Sequence, residues 1–479
     1  GGGLYRDTVL RGEKPPINNP VLNANVLGSD SVVNTVFQNQ LYWFWGDTNF
    51  PRYPLGNFHV PGATSPLVSQ GLDPDQGIPL SYFTDRNGVA KATAKMPGKG
   101  PTWINGLTVI RDQKNQERMF AQYVKIAKPM RVYERGIVEF DPKKNEFFQR
   151  QKIKLSEPLY PHGHPFQHRE GGVDYIYFAN PYPHVRARAT VKCFLDPSQY
   201  ESYTCFRKGS TAQRWTLDRG EDGKLIYGWK KHTLPLTEKL QNRLIKEGKL
   251  KPGEALFRLR DVESGKRIHA QSGSVYWNPF RKRWSMITVQ LFGSSLLGEV
   301  WYAEADRPEG PYEYACRIVT HNRYDFYNPK QHPMLSQKRG QILYFEGTYT
   351  NTFSGNPDRT PRYNYNQIMY KLDLKHPRLR QTIPVYRYLD GKKWRYCAQR
   401  LSEKSRSLEI AFYALDRPHE GAQGFRIRST NQGDRIEKTT ERDSEIYLFG
   451  PKSKPRPVAV KSLMPIVDAF GWRARTESK

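Results

Sequence analysis

Short apolar runs rich in aromatic and β-branched residues alternate along the chain with turn-forming Gly, Pro, Asn and Asp, a pattern that predicts β-strands. Five of these runs share one character, because each follows a polar turn and ends in polar or small residues. They are Leu41–Thr48, Arg118–Ile126, Asp174–Pro181, Arg283–Gly293 and Gln341–Thr350. Several have further strand signals beside them, as Gly273–Trp277 precedes Arg283. Such strand–turn–strand units, at irregular spacing, predict repeated antiparallel sheets.

A five-bladed β-propeller accommodates this pattern, because radial repetition leaves only short, protected sheet edges. A β-sandwich or a two-domain β protein is the alternative. Helical periodicity is limited to Leu236–Glu247, where Leu240 and Leu244 lie on one face. This helix falls in a long gap between the third and fourth units, which predicts an insertion over about residues 193–262. The expected fold class is therefore all-β, with a partly helical insertion.

The chain is expected to divide near residue 375. Residues 17–375 would form the propeller, and residues 376–479 a C-terminal β segment. Strand signals such as Leu408–Leu415 and Glu445–Phe449 continue into that segment. It either closes the propeller or forms a small appended module.

Charge narrows what this fold is expected to bind. The chain has 479 residues, with 75 Lys and Arg against 47 Asp and Glu, and so a formal net charge of +28. This excess favours an anionic partner, a nucleic acid or an acidic polysaccharide, over a surface charged only for solubility. No basic tail, zinc-finger spacing or Gly-rich phosphate loop is present, so nucleic acid is not expected. No apolar run of about 18 residues occurs either, which excludes a spanning helix.

The four cysteines, Cys193, Cys205, Cys316 and Cys397, include no CxxC pair. Zinc and thioredoxin-type chemistry are therefore not indicated. Cys193 and Cys205 flank one short segment and could form a disulfide in an oxidising compartment. Four thiols are the alternative.

Three carboxylates stand beside or inside predicted strands. Asp30 precedes the first unit, and Asp47 directly follows an aromatic strand. Polar residues on the innermost strands of a propeller face a shared channel, so this pair could act as a general base and a neighbour that positions water or tunes its pKa. Glu346 lies inside an apolar run, where burial would raise its pKa as a general acid requires. Turn chemistry for the aspartates and an ion pair with an arginine for Glu346 are the alternatives.

Other side chains near these motifs could bind a substrate. Histidines cluster near predicted strand ends, one Trp could stack on a sugar face, and arginines could bind sulfate or carboxylate bidentately. A structural histidine or a solvated arginine is the alternative at each position. The candidate substrate-binding residues are His162, His164, His269, Asn328, His332, Trp103, Arg186 and Arg362.

Five short motifs carry a resemblance to a known family: Gly28–Asp30, Trp45–Thr48, Gly273–Asn278, the Ala305–Pro311 turn and Phe345–Thr348. In these motifs the chain resembles five-bladed β-propeller glycoside hydrolases of the arabinanase and β-xylosidase group, and the related endo-D-arabinanase family. The resemblance covers roughly residues 20–375. It implies an Asp base on the first blade, which Asp30 or Asp47 matches, and a Glu acid followed by Gly, which Glu346 matches. The family's third Asp, which tunes the acid, has no clear match, and Asp174 is a weak candidate.

Together these observations predict a glycoside hydrolase that cleaves an anionic polysaccharide or oligosaccharide, sulfated or containing uronic acid, in a secreted or periplasmic setting. Glu346 would protonate the leaving oxygen, and Asp30 or Asp47 would activate water or attack the anomeric carbon. No cofactor is expected to be required and no metal ligands are assigned, although the central channel could hold a structural calcium ion. The alternatives are a polysaccharide lyase using His, Tyr and Arg side chains, and a non-catalytic carbohydrate-binding propeller.

Overall fold

The computed structural model describes residues 6–15, 22–262, 266–321, 323–357, 364–379, 383–397, 409–414, 423–438, 446–448 and 467–469. This part of the chain is mostly β-strand and divides into two compact units. The larger unit comprises residues 1–259, 267–373 and 467–479, and the smaller unit comprises residues 260–266 and 374–466. Among the described helices, none is long and apolar enough to cross a membrane.

The first seven strands form two antiparallel sheets. A small sheet has the order β1-β4-β5, and the first large sheet has the order β2-β3-β6-β7. The strands are β1 (Gly28–Ser29), β2 (Val33–Phe37), β3 (Gln40–Phe44), β4 (Thr48–Asn49), β5 (Gly56–Asn57), β6 (Gly62–Ser65) and β7 (Ser81–Tyr82).

The second and third large sheets follow along the chain, with orders β11-β10-β9-β8 and β12-β13-β14-β15-β16. Their strands are β8 (Thr102–Arg111), β9 (Glu117–Ala127), β10 (Arg131–Asp141), β11 (Glu146–Ile153), β12 (His164–Glu170), β13 (Val173–Ala179), β14 (Pro183–Arg188), β15 (Glu201–Thr204) and β16 (Gly228–Lys231). Part of the segment expected to be an insertion, about residues 193–262, therefore extends the third sheet as β15 and β16.

The described residues form three short α-helices: α1 (Arg6–Leu10), α2 (Val191–Leu195) and α3 (Glu238–Lys246). Helix α3 lies within the run predicted to be helical. Thr237 caps its N-terminus by accepting a hydrogen bond from the Leu240 backbone N–H, and Leu240 and Leu244 are buried on its apolar face. A side-chain cap and an apolar stripe are the two local features that stabilise a short helix.

The fourth and fifth large sheets contain β18-β19-β20-β21 and β22-β23-β24, the latter extended by β31. The strands of this region are β17 (Arg260–Asp261, in the smaller unit), β18 (Ala270–Asn278), β19 (Arg283–Gln290), β20 (Glu299–Ala305), β21 (Tyr314–Thr320), β22 (Asp325–Gln331), β23 (Ile342–Thr350) and β24 (Asn366–Asp373). The smaller unit adds two three-stranded sheets, in the orders β26-β25-β27 and β29-β28-β30. The remaining strands are β25 (Ile383–Asp390), β26 (Lys393–Cys397), β27 (Glu409–Ala414), β28 (Gln423–Thr430), β29 (Gly433–Lys438), β30 (Ile446–Leu448) and β31 (Val467–Ala469).

The first strands of the five large sheets line up side by side. Strand β2 packs against β8, β8 against β12, β12 against β18 and β18 against β22. The row returns to its start because Lys330 on β22 donates a hydrogen bond of 2.5 Å to the Asn34 side chain on β2. We call the end of this ring at which the five strands begin the mouth.

Aromatic side chains fill the spaces between neighbouring sheets. Phe44 of the first sheet packs edge-on against Phe140 of the second, with ring centroids 5.5 Å apart. Phe166 of the third sheet lies 4.8 Å from Trp284 of the fourth. Equivalent clusters lie between the second and third sheets and between the first and fifth. Rings of this size bury enough apolar area to hold sheets together despite the low apolar content of the chain.

Each of the five apolar runs forms the second strand of a large sheet: β3, β9, β13, β19 and β23. Most residues of these strands are buried on both faces, because neighbouring sheets pack against the two faces of each sheet. The first run extends past its strand, since β3 ends at Phe44. Asp47 therefore lies in the connection to β4 and not within a strand.

Gly347 in β23 offers a test of how tightly the fifth sheet is packed. A Cβ atom there would lie 2.6 Å from Cε1 of the buried Phe326 ring. We expect Gly347→Ala to lower the free energy of unfolding by about 1–3 kcal/mol through overpacking, measured by chemical denaturation. Gly228→Ala in β16 is the matched control, because a Cβ there meets nothing within 4 Å. Equal stability of the two variants would contradict the described packing.

Candidate functional site

Asp30 and Asp47 meet at the mouth because β1 pairs with β4. The Asp30 backbone N–H donates to the Asp47 carbonyl at 3.0 Å, and the Gly46 N–H donates to the Asp30 carbonyl at 2.8 Å. A Cβ on Gly46 would lie only 2.0 Å from Oδ1 of Asp30. Glycine at position 46 is thus what lets the Asp30 carboxylate lie against this turn.

Two tyrosines hold the other oxygen of Asp30. Tyr327 on β22 and Tyr365, just before β24, both donate to Oδ2, at 2.9 and 2.8 Å. Burial and the neighbouring charge of Asp47 raise the pKa of Asp30 to about 6, although both tyrosine hydrogen bonds act in the opposite direction. Asp30 therefore titrates near the pH range in which general acids and bases operate.

Asp47 is held differently. The indole N–H of Trp103, on β8, donates to its Oδ1 at 2.7 Å. Burial raises the pKa of Asp47, and the Trp103 hydrogen bond partly offsets this. Three large sheets therefore contribute to the aspartate pair. The second sheet supplies Trp103, and the fifth sheet supplies Tyr327 and positions Tyr365. The first carries the aspartates in the segments that flank β2 and β3.

Two more of the predicted residues lie at the mouth. Asn328 donates to the Ser31 hydroxyl at 2.7 Å, next to Asp30. The His162 Nε2 atom lies 3.2 Å from the Asn180 side-chain nitrogen. The His162 ring is exposed, so it can donate a hydrogen bond to a bound sugar or accept one from it.

Glu346 belongs to a different cluster, which it forms with His332, Asn34 and Lys330. Its Oε1 lies 3.1 Å from Nε2 of His332, although the ring N–H does not point squarely at the oxygen. The His332 Nδ1 atom accepts a hydrogen bond of 2.9 Å from the Asn34 amide, whose oxygen accepts from Lys330. The Asn34 amide therefore assigns the His332 proton to Nε2, facing Glu346. All four side chains are buried, and no hydrogen bond or ion pair among the described residues joins Glu346 to Asp30 or Asp47.

His164 and Lys330 line a cavity of about 420 Å³ inside the ring. Calcium requires six to eight oxygen ligands, with carboxylates prominent among them. No carboxylate lines this cavity, and the Lys330 ammonium does. Within the described residues, no group of three or more His, Cys, Asp and Glu side chains is arranged to hold a metal ion. The residues of the channel therefore do not fit the calcium ion that the sequence led us to consider.

The remaining predicted residues have other partners or fall outside the description. Arg186 forms ion pairs with Glu170 and Glu201, and His269 lies 3.0 Å from Glu238 of α3. These contacts hold β14 and the start of β18 in place and leave Arg186 little freedom to bind a sulfate. Asp174, the weak candidate for a third acid, is exposed beside Arg169. Arg362 lies outside the described residues. Within the part of the chain that the structure describes, none of the four cysteines forms a disulfide.

Several residues of the mouth and channel were not predicted as site residues, among them Tyr365 and Lys330. Tyr365 is 335 positions from Asp30 in sequence and sits in a polar loop whose pattern carries no signal. Lys330 carried no clear signal either, because the sequence around it is largely polar and its burial appears only in the structure. A buried lysine is rare unless it has a role or a partner.

No family model matches the chain, and no curated protein matches it. Solved structures do. Among them are family-43 glycoside hydrolases. The exo-β-1,3-galactanase from Phanerochaete chrysosporium is 11% identical, with a TM-score of 0.39, over 85% of this chain and 74% of that one. The α-L-arabinanase from Penicillium chrysogenum is 13% identical, with a TM-score of 0.36, over 74% of this chain and 96% of that one. The GH43_1 enzyme from Xanthomonas citri is 9% identical, with a TM-score of 0.35, over 75% and 89%. Because these values are low, the function proposed below is argued from the residues of this chain.

The tyrosine hydrogen bonds make a prediction about titration. Each stabilises the charged form of Asp30, so Tyr365→Phe should raise the Asp30 pKa above about 6, by about one pH unit for a hydrogen bond of ordinary strength. Carboxyl ¹³C NMR across a pH titration measures this directly. Tyr344→Phe is the matched control, because the Tyr344 hydroxyl donates to Asp75. An unchanged Asp30 titration in Tyr365→Phe would contradict the hydrogen bond.

Proposed function

We propose that this chain is a glycoside hydrolase, that its five large sheets are the blades of a β-propeller, and that Asp30 and Asp47 are its reacting carboxylates. The observation that carries the proposal is the half-buried Asp30–Asp47 pair, held from two sides by Trp103 and by Tyr327 with Tyr365. The side-by-side row of first strands supports the propeller.

The chemistry follows from two carboxylates in one site. Their charges interact, so the pair loses its protons in two steps that belong to both residues. Between those steps one carboxyl carries a proton and the other is ionised. Hydrolysis of a glycosidic bond needs both forms, because the acid protonates the leaving oxygen and the base activates water or the nucleophile attacks the anomeric carbon. Burial at the mouth raises the pKa of both groups, which keeps a proton available in weakly acidic solution.

Three neighbours act as positioning residues in this proposal. The Tyr327 and Tyr365 hydroxyls fix the Asp30 carboxyl plane, and the Trp103 indole fixes that of Asp47. Such fixed donors matter because a misplacement of about 1 Å can cost a hundredfold in rate. Each oxygen that accepts one of these bonds is also less basic than it would be alone.

Glu346 fits a positioning role better than the acid role that its sequence context suggested. It is buried beside His332 and is not among the residues lining the channel cavity. An acid must reach the leaving oxygen of a bound sugar, and its contacts with His332 hold Glu346 in the wall between β22 and β23. The acid role for Glu346 remains a prediction, which the variant below tests.

The substrate in this proposal is an anionic glycan, sulfated or uronic. Near the mouth, Tyr53 is 91% exposed and Phe353 is 50% exposed, and exposed rings suit stacking on sugar faces. Phe353 lies beside the Tyr327 ring, at 5.8 Å between centroids. Arg52, which precedes Tyr53 in the chain, and Arg323 are exposed and supply positive charge. A polymer of this kind lies outside the cell, so the proposal includes a secreted or periplasmic setting.

Replacement of the two aspartates tests the catalytic part. We expect Asp30→Asn and Asp47→Asn each to lower kcat by about 10²–10⁴-fold, the usual contribution of a general acid or base. Reducing-end release from a panel of glycans measures cleavage, and thermal unfolding checks that each variant folds. Glu346→Gln should keep most activity and lose stability instead.

Other outcomes would point elsewhere. Full activity in Asp30→Asn would refute the pair, and complete loss in a well-folded Glu346→Gln would restore Glu346 as the acid. Release of products that absorb in the ultraviolet, because of a new double bond, would show a lyase. Binding without any cleavage would show a carbohydrate-binding propeller.

A second experiment tests the anionic substrate. We expect sulfated or uronic oligosaccharides to be cleaved with higher kcat/KM than neutral ones, with the difference shrinking as salt screens the charges. Arg52→Gln should lower kcat/KM on the anionic substrates by about threefold, the size of an exposed charge contact. Arg169→Gln is the control, because this exposed arginine lies near the end of β12 away from the mouth. Faster cleavage of neutral glycans would contradict the anionic substrate, and the net charge of +28 would then serve solubility only.

A further inference from the structure

The channel cavity lies deeper in the ring than the mouth and takes no part in the proposed hydrolysis. Its volume is about 420 Å³, and β2, β8, β12, β18 and β22 all contribute to its wall. Most of the wall is apolar. Its polar members are Asn34, Thr35, Thr108, His164, Gln167, Tyr276 and Lys330.

Lys330 is the only charged residue among those lining the cavity, and it is 2% exposed. Its ammonium donates to Asn34 at 2.5 Å and to the carbonyl of its neighbour Gln331 at 3.4 Å. It also lies 5.8 Å from the centre of the Tyr276 ring. Both acceptors are neutral, so no carboxylate is in hydrogen-bond contact with the charge. A buried ammonium in that state is costly unless a negative charge comes close.

His164 presents a second polar group to the same space. It is 8% exposed, and its Nδ1 atom has no hydrogen-bond partner. Burial lowers the pKa of His164 well below its usual value, and the Lys330 charge adds to this effect. The ring is therefore neutral, and one of its nitrogens carries a proton that it can donate. Buried polar atoms rarely remain without a partner.

We propose that this cavity binds a small monovalent anion of the halide class, held by the Lys330 ammonium with the His164 ring as a second donor. The apolar part of the wall suits a weakly hydrated ion. The nearest carboxylate with an electrostatic effect on Lys330 is Glu346, but it faces His332 and does not line the cavity. A cation would meet the ammonium and no carboxylate, so the same residues disfavour calcium.

The proposal includes a direction with pH. Burial lowers the pKa of Lys330 to about 7, against a smaller opposite effect of Glu346. The other titratable groups packed around it are His164 and His332, both neutral because burial lowers their pKa, and Tyr276, whose pKa burial raises. Only the charged ammonium attracts an anion, so anion binding should be strong below pH 7 and fade above it.

Chloride itself is the probe for the test. The ³⁵Cl NMR linewidth of the full chain is compared with that of Lys330→Met, because bound chloride exchanges with free chloride and broadens the signal. Lys224→Met is the matched control, since Lys224 is 85% exposed and its loss changes the net charge equally. We expect excess broadening in the wild type and in Lys224→Met, its loss in Lys330→Met, and its decline above pH 7. Equal broadening in all three proteins would overturn the proposal.

Asn34→Asp provides a second test, which still applies if Lys330→Met fails to fold. Aspartate keeps the acceptor for Lys330 and places a fixed negative charge beside it, so the cavity should no longer take chloride. Thermal unfolding is measured at constant ionic strength, first in gluconate and then in bromide. Bromide should raise the wild-type Tm by about 2 °C or more at saturation. The Asn34→Asp protein should show no such rise. A bromide response in Asn34→Asp, no response in the wild type, or stabilisation by calcium instead of bromide would each overturn the proposal.

Discussion

Contact between the first and last large sheets is the constraint on which the rest of the larger unit depends. Asn34 on β2 forms hydrogen bonds with Lys330 on β22 and with His332 just after it, and Asp30 before β2 accepts one from Tyr327 on β22. These partners are 296 to 298 positions apart in sequence. Contacts between residues so far apart in sequence carry a high loop-closure cost, and the sheets between them bring the two strands together. The candidate site and the channel cavity are therefore both products of ring closure.

The contacts that close the ring between the first and fifth large sheets are polar hydrogen bonds, and their polarity fixes how the strands align. Apolar packing alone would close the ring without preference for one register. Hydrogen bonds to Asp30 and Asn34 select one register, because a shift by one residue would leave a carboxylate and an amide buried without partners. The same burial moves the pKa of Asp30 up and that of Lys330 down, each to within reach of neutral pH. The buried polar contacts that fix the register of the ring therefore also produce groups that can exchange protons near neutral pH.

The sequence predicted the central strands well, because β3, β9, β13, β19 and β23 are buried on both faces and read as continuous apolar runs. It also singled out Asp30 and Asp47, which the structure brings together, although their catalytic role stays a prediction. It could not predict Tyr365, because no local period encodes a partner 335 positions away. The sequence could not name the partner of Glu346, because an acidic residue in an apolar run shows only that its carboxylate has one. In the structure Oε1 lies 3.1 Å from Nε2 of His332, and the acid role stays a prediction.

The residues behind the net charge of +28 lie partly in the interior and partly on the surface of the protein. Lys125 is fully buried, and its ammonium donates to the Met96 and Gly100 carbonyls. Arg135 donates to the carbonyls of Lys154, Leu155 and Glu157 in the same way. Such cations satisfy backbone acceptors in loops that lack regular pairing, and they need no carboxylate to do so. Part of the excess positive charge therefore serves the fold, and only the exposed remainder can attract an anionic glycan.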